Sequence, residues 1–510
     1  MDSIPRKSIP ETFAGADVFI TGGSGFMGKV LIEKLLRSCP QIGNVFVLLR
    51  PRRGKLAKER VADLVQVPLF NKLREERPDT FQKIVPIDGD CAQLRLGLED
   101  ESIRRMAGVQ FVFHAAASVR FDDPLDKALL LNTRGTHEIL RWAKTLSNLK
   151  AIVHISTTYS NPEVPHVAER IYPAKMDWRK AIEMVEKVDP EALNALAEKL
   201  SGFAPNTYTF TKGLAEQICY DYHHELPLVI FRPSIVINTE TEPMPGWIEN
   251  YNGPAGILSA HAAGILRTLF VSMDCHMNCI PADVSIKAII VAAWKKSFSA
   301  KNDLVIYNSA AEPDKAMGYK FLYEESDYFS HRIPMLKMMW APTGQATTNS
   351  TLFYLLFFLY QVIPAFFVDI VLRLCNMKPF LLKLQRSIFH AQNSLMYFTT
   401  HDWVFDTDNF RSLSKDLGEM DKIHFNIAYI TQGLLEYCSL CMLGGRRYLF
   451  KESDDSIMVA FKRLKRFELA DKLLKLAMFV GFAYVLRSYL PDSWLQREAV
   501  DGRLNEILSD

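Results

Sequence analysis

The sequence predicts an α/β protein: a doubly wound parallel sheet with a mainly helical, membrane-associated C-terminal domain. Three observations carry this. Short β-branched runs alternate with helical periodicity through the first part of the chain. A glycine-spaced turn joins the first strand to the first helix, the Rossmann-like arrangement. After about residue 335 the composition shifts to long apolar runs. The division is therefore 1–335 for a nucleotide-binding catalytic domain with a substrate lobe, and 336–510 for the C-terminal domain.

Asp17 to Thr21 (DVFIT) reads as a buried strand, Gly22, Gly25 and Gly28 crowd the turn after it, and helical periodicity begins at Phe26. Each glycine has its own task. Gly22 permits a tight turn, Gly25 lets backbone N–H groups approach a pyrophosphate, and Gly28 lets helix and strand touch. The helix N-terminus adds partial positive charge. Thr21, Gly22, Gly25, Phe26, Met27 and Gly28 are the expected phosphate-binding residues.

Asn44 to Leu49 is a second strand, followed by Arg50, Arg52, Arg53 and Lys55 where NAD-preferring folds carry an acidic residue. Guanidinium groups grip a 2′-phosphate, so Arg50 and Arg53 predict NADPH. A third strand, Lys83 to Ile87, ends at Asp90, placed either to accept from an adenine amino group or to cap a helix. A fourth, Val109 to His114, runs into Ala115 and Ala116, small residues against which a cofactor lies. Leu125 to Leu146 reads as one long helix carrying Asn132.

A fifth strand, Ala151 to Ser156, ends in Ser156-Thr157-Thr158, and a helix from Asn206 to His224 carries Tyr208 and Lys212 on one face. No other of the 18 tyrosines has a lysine four residues on. A phenol titrates near ~10, and a neighbouring ammonium lowers that value. Tyr208 is the expected acid, Lys212 its tuner and ribose ligand, and Thr157 or Ser156 the hydroxyl holding a carbonyl oxygen. Residues 162–205 form an insertion with two helical pieces. Leu228 to Arg232 is a further strand, and Thr239 to Pro254 a loop placed to cover substrate.

With 60 basic and 58 acidic residues, net charge +2, the chain carries no footprint for nucleic acid. The eight cysteines are scattered. Cys275 with Cys279 and Cys438 with Cys441 lack the second pair a zinc site needs, so no metal is expected. No apolar leader is read at the N-terminus, and a reduced, cytosol-facing catalytic part is the expectation. His401-Asp402 reads as a structural polar turn.

The apolar segment 352–374 is long enough to span a bilayer, or to form a buried helix or half-inserted hairpin, with Pro364 as a kink. A second run at 473–490, preceded by Lys462, Arg463, Lys465 and Arg466, reads as interfacial.

With these motifs in hand, the chain resembles the insect-type, alcohol-forming fatty acyl-CoA reductases, extended short-chain dehydrogenases with an added C-terminal domain. The blocks TGGSGFMGKVLIEKLL, VFVLLRPRRG, HAAASVRFDDPL, HISTTYSN, YTFTKGLAE, PGWIENYNGPAG and FTTHDWVFD carry the resemblance over nearly the whole length. It implies reduction of a long-chain fatty acyl-CoA to a primary alcohol via the aldehyde, with NADPH. It further implies wax, ether-lipid or cuticular lipid metabolism and contact with membrane lipid of the endoplasmic reticulum or peroxisome. Departures at His114 to Ala117 and Leu266 to Asn278 bear on chain-length preference. A 3-hydroxysteroid or sugar-nucleotide dehydrogenase would share the glycines, Tyr208 and Lys212 but not the apolar tail, and a non-catalytic nucleotide binder would not need Thr157, Tyr208 and Lys212 together.

Overall fold

The computed structural model describes residues 7–489 apart from Arg53, Phe203 and Lys301. Arg53, the last residue of the 473–490 run and the tail beyond it lie outside the described residues.

Seven strands form one parallel sheet: β1 (Asp17–Thr21), β2 (Val45–Leu49), β3 (Ile84–Asp88), β4 (Val109–His114), β5 (Ala151–Ile155), β6 (Leu228–Pro233) and β7 (Val305–Ser309). Their spatial order is β7-β6-β5-β4-β1-β2-β3, the doubly wound α/β fold the sequence predicts. The strand β7 adds to the six read from the sequence. Because the winding reverses between β1 and β4, a crevice opens above their carboxyl ends, where such sheets take ligands.

Both faces of the sheet are covered, which is why its strands are apolar on both sides. Val18, Ile20, Phe111, Phe113 and Val153 face one layer, while Phe19, Val112, Ile152 and Ile230 face the other. This is the two-residue alternation of a strand. Helix α1 (Phe26–Ser38) sits in the first layer, helix α2 (Ala57–Leu64) follows β2, and α3 (Thr207–Tyr222) packs Leu214 and Ile218 into the second layer. Further on come α4 (Pro254–Ala262), α5 (Ala282–Lys296) and α6 (Tyr319–Arg332).

The expected helix from Leu125 to Leu146 is shorter and not regular. It runs as Leu125–Ala128, a widened π-type turn at Leu129–Arg134, and Gly135–Ala143. Wide turns of this kind concentrate at functional sites, and Asn132 sits in this one.

The C-terminal part is mainly helical: α7 (Ser350–Leu374), α8 (Leu381–Leu395), α9 (Leu434–Gly444) and α10 (Ile457–Tyr489). It is woven into what precedes it. Val404–Phe405 pairs with His166–Val167, Gln345–Thr347 pairs with Thr268–Phe270, and Phe410, Leu413 and Phe425 enter the core beneath the sheet. Along α7 the turn Phe358–Val362 widens just ahead of Pro364, which has no N–H to give. Asn349 caps this helix, accepting from the Leu352 amide at 3.0 Å.

Candidate functional site

At the carboxyl end of β1 the chain turns through Gly22, whose φ of +73° is a left-handed conformation that glycine adopts freely. A Cβ there would come within 2.7 Å of the Ala115 carbonyl carbon and the Ala116 nitrogen. At Gly28 it would come within 2.3 Å of the Gly22 oxygen. These two glycines therefore let loop, helix and β4 close on one another. Gly25 is the N-cap of α1 and no side chain caps this end, so the first amides of the helix, from Phe26, Met27 and Gly28, have no acceptor within it. An anion-binding end is the result. Thr21 plays a different part: its buried hydroxyl accepts from the Ala116 amide at 3.1 Å and meets His114 Nδ1 at 2.8 Å. It shapes the cradle rather than lining it.

Beside this loop stands a cation the sequence reading did not single out. The Arg60 guanidinium, from α2, donates to Ser24 Oγ at 3.0 Å and to the Arg50 carbonyl at 2.6 Å. Partial burial, then the nearby Arg52 and Arg50 charges, hold its pKa below the usual range. Three like charges converge beside the glycine loop. Its signal was a lone arginine among mixed charges, and only the fold brings it back to Ser24. Asp90 ends β3 in a tight turn, Oδ1 accepting from the Ala92 amide at 3.0 Å. It caps no helix, and the adjacent Cys91 is buried near Thr21.

Across the crevice the carboxyl end of β5 meets α3. Thr157 stands near Tyr208 and favours its ionised form, but burial outweighs this and pushes the phenol up to about 12. Lys212, 3% exposed, donates from Nζ to the Ile155 carbonyl at 2.6 Å, and burial pulls it down to about 8. This corrects the expectation that the ammonium lowers the phenol: the ammonium is anchored to the strand end, and desolvation dominates at Tyr208. A phenol near 12 is fully protonated at neutral pH and holds a proton to give.

Ser156 is not beside Thr157 in function. Its hydroxyl donates to Glu216 at 2.6 Å, and Glu216 receives Arg232 through Nε at 2.8 Å and Nη2 at 2.6 Å, both residues at most 2% exposed. Ser156 thus belongs to a buried brace between β5, α3 and β6. Asn132 is a second brace: it accepts from the Ser118 amide at 2.9 Å and donates to Thr211 Oγ1 at 3.0 Å, next to Lys212. Over the phenol lies Phe121, ring centroids 5.8 Å apart and 23° from parallel, and Phe398 from the C-terminal part packs on Phe121 at 5.3 Å. The neighbouring His401 and Asp402 do not form a base: His401 Nδ1 meets the Tyr397 carbonyl at 2.8 Å, while Asp402 accepts from the His276 amide at 2.5 Å.

The glycine cradle, the free helix amides, the small Ala115 and Ala116, and the Arg50, Arg52 and Arg60 cluster fit a dinucleotide laid from β2 toward Tyr208. Comparison with known proteins agrees with this geometry. Residues 20–289 and 360–452 match two family profiles, both described as male sterility protein. The chain is 35% identical to fatty acyl-CoA reductase wat of Drosophila melanogaster over 91% of its own length and 90% of that protein. It is 34% identical to fatty acyl-CoA reductase 1 of Rattus norvegicus, covering 90% and 89%. In fold it is similar to the terminal R domain of the myxalamid PKS-NRPS pathway, with a TM-score of 0.58 at 17% identity, covering 87% of this chain and 92% of that one. A reductase domain of a non-ribosomal peptide synthetase from Mycobacterium tuberculosis gives 0.55 at 18% identity, covering 88% and 96%. The chain belongs to the fatty acyl-CoA reductase family.

Proposed function

We propose that this protein reduces long-chain fatty acyl-CoA to the primary fatty alcohol with NADPH, working at a membrane surface. The observation that carries the reading is the meeting of Tyr208, Thr157 and Lys212 beside the glycine cradle, in a chain about one-third identical to fatty acyl-CoA reductases along nearly its whole length. The nicotinamide cofactor supplies hydride. The thioester carbon takes one hydride and coenzyme A departs as the thiol; the aldehyde carbon takes a second and its oxygen becomes the hydroxyl. At the oxygen Tyr208 gives the proton and Thr157 holds position through its hydroxyl. Lys212 holds charge beneath them and is placed for the nicotinamide ribose. Phe121 lies over the phenol, and Phe398 packs on Phe121 from the C-terminal part.

The preference for NADPH rests on Arg50 and Arg60: a dianionic 2′-phosphate relieves the repulsion that like charges suffer there. Arg60→Ala is expected to raise KM for NADPH about tenfold, the loss of ~1.4 kcal/mol in a charge-assisted contact, and to leave KM for NADH near its starting value. Asp90 is assigned to the adenine edge. The membrane reading rests on α7, a 25-residue helix whose most apolar 18-residue window has a mean hydropathy of 2.2 and is 22% buried. Eight free thiols suit a catalytic part facing the reducing cytosol, on the endoplasmic reticulum or the peroxisome.

The test is NADPH consumption by detergent-solubilised protein offered a series of acyl-CoAs, with the lipid products separated. Fatty alcohol from wild type and none from Tyr208→Phe is the expected result. Aldehyde alone would remove the second reduction, and no product from any acyl-CoA would overturn the reading.

A further inference from the structure

Helices α7 and α8 form a hairpin whose two sides differ. The inner side of α7 carries Phe353, Phe357, Gln361, Ala365 and Asp369, all buried, at four-residue intervals along nearly the whole helix. A regular helix would carry such a stripe about 40° round at each step, and the widened turn at Phe358–Val362 takes in an extra residue that turns it back. The stripe is fastened at both ends and in the middle. Phe353 packs edge-on against Phe270 at 5.5 Å, Gln361 accepts from the Arg267 amide at 2.9 Å, and Asp369 accepts from the Phe380, Leu381 and Leu382 amides at 3.0 Å each. Helix α8 is held to the same segment of the body: Gln385 donates to the Ile265 carbonyl at 3.1 Å, and Gln392 accepts from the Phe270 amide at 3.4 Å.

The outer side of α7 is apolar, with Leu355, Phe358, Phe366, Phe367 and Val371 exposed. Charge beside it has one sign. From Asn349 to His401 the chain holds a single acid, the buried Asp369, against Arg373, Lys378, Lys383 and Arg386, all exposed. Lys383, Arg386 and the exposed His390 follow at three and four residues, so they share one face of α8. That face lies next to the cover of the phenol. Arg120, then His390, hold the Asp122 carboxyl below its usual range, and Asp122 adjoins the Phe121 that stacks over Tyr208.

We infer that this hairpin does not cross the bilayer but lies along one leaflet, with the outer stripe of α7 in the acyl chains and the basic face of α8 on anionic phospholipid headgroups. The inference rests on the reading of α7 as a membrane contact. A span needs about twenty residues that lipid can surround. Tied at Phe353, Gln361 and Asp369, α7 has no such stretch free of α8 and the 265–270 segment. Sinking it to the bilayer midplane would drag Lys383 and Arg386 into hydrocarbon, whereas at the interface each base gains from anionic lipid.

The experiment has two arms, both on the full-length protein. In sealed microsomes from cells expressing it, a membrane-impermeant maleimide is offered to the native Cys375, exposed just past α7, and to a Thr348→Cys reporter just ahead of the helix. Equal labelling of the two before detergent is expected, since both ends of a helix lying in one leaflet face the same side. Cys375 labelled only after detergent, with the reporter labelled before it, makes α7 a span and overturns the inference while the membrane reading stands. In the second arm, wild type and the double variant Lys383→Glu, Arg386→Glu are floated with vesicles of phosphatidylcholine, alone or mixed with phosphatidylserine. The variant is expected to bind the mixed vesicles at least about tenfold more weakly, to bind neutral vesicles as wild type does, and to keep its KM for acyl-CoA in detergent. Undiminished binding to the mixed vesicles overturns the headgroup contact, and so does a raised KM, which would give these cations to the phosphates of coenzyme A. Labelling of Cys375 needs neither charge reversal and decides the orientation if the variant fails to fold. Wild type that floats with neither vesicle overturns the membrane reading as well.

Discussion

Two helices of this protein invert one another. In α3, Lys212 and Glu216 are buried and answered, Lys212 by the Ile155 carbonyl and Glu216 by Ser156 and Arg232. In α7, Leu355, Phe358, Phe366 and Phe367 are at least half exposed. A folded chain in water tolerates neither without a reason. Buried charge persists in α3 because every partner is supplied, and it holds a phenol, a hydroxyl and an ammonium in fixed relation. Exposed apolar surface in α7 fits the membrane contact proposed above. On the proposed reading, one helix carries the chemistry and the other meets the membrane that holds a lipid substrate.

The sharpest way to break this contrast is to remove the acid. Tyr208→Phe keeps the ring and its contact with Phe121, so the fold should stay within about 0.5 kcal/mol of wild type, while kcat falls ~10²- to 10⁴-fold. An unchanged rate would sink the assignment of Tyr208. Next in size is the brace. Arg232→Leu leaves Glu216 charged, buried and unpaired, which destabilises by about 3–5 kcal/mol; chemical denaturation should show it, and adding Glu216→Gln should restore part of it. If Arg232→Leu unfolds at the wild-type midpoint, the pair is not the support described here.

On the other helix, Leu355→Lys with Phe358→Lys touches only exposed positions, so stability in detergent should be unaffected. Each lost apolar side chain removes about 1.5 kcal/mol of transfer into hydrocarbon, and partition onto phospholipid vesicles should drop by about two orders of magnitude. Retained binding would mean that the exposed face of α7 is not the lipid contact. The smallest effect is in the pH profile. Lys212 is pulled from an ordinary 10.5 down to about 8, so it is charged below that pH and neutral above it. With Tyr208 near 12 and protonated throughout, kcat/KM should be level below about 8 and fall up to tenfold per unit above it. Lys212→Arg, which stays charged, should carry the falling limb to higher pH from a lower plateau. An unmoved limb would assign it to another group.

Much of the nucleotide half was legible because its signals are local. A strand, three spaced glycines and a helix are adjacent in the chain, and Tyr208 and Lys212 share a face because four residues make about one turn. The small Ala115 and Ala116 follow their strand directly. The same locality explains what was missed. Arg60 counts as one more charge on a mixed helix until α2 folds back on Ser24, and Phe398 reads as one more aromatic until the C-terminal part closes over Phe121. Ser156 and Thr157 are neighbours with like chemistry, and nothing local says that one hydroxyl turns to Glu216 while the other stands near the phenol.

By itself, then, the order of residues determined the doubly wound sheet, the glycine cradle, the tyrosine and lysine pair and the apolar α7, since each is written in a period or spacing the backbone must obey. Tertiary structure alone decided the protonation of that pair. Model chemistry lets an ammonium lower a phenol, but burial of Tyr208 and the anchoring of Lys212 on the Ile155 carbonyl leave desolvation in control. Desolvation depends on what surrounds a group from every side of the chain, and no stretch of sequence holds that information.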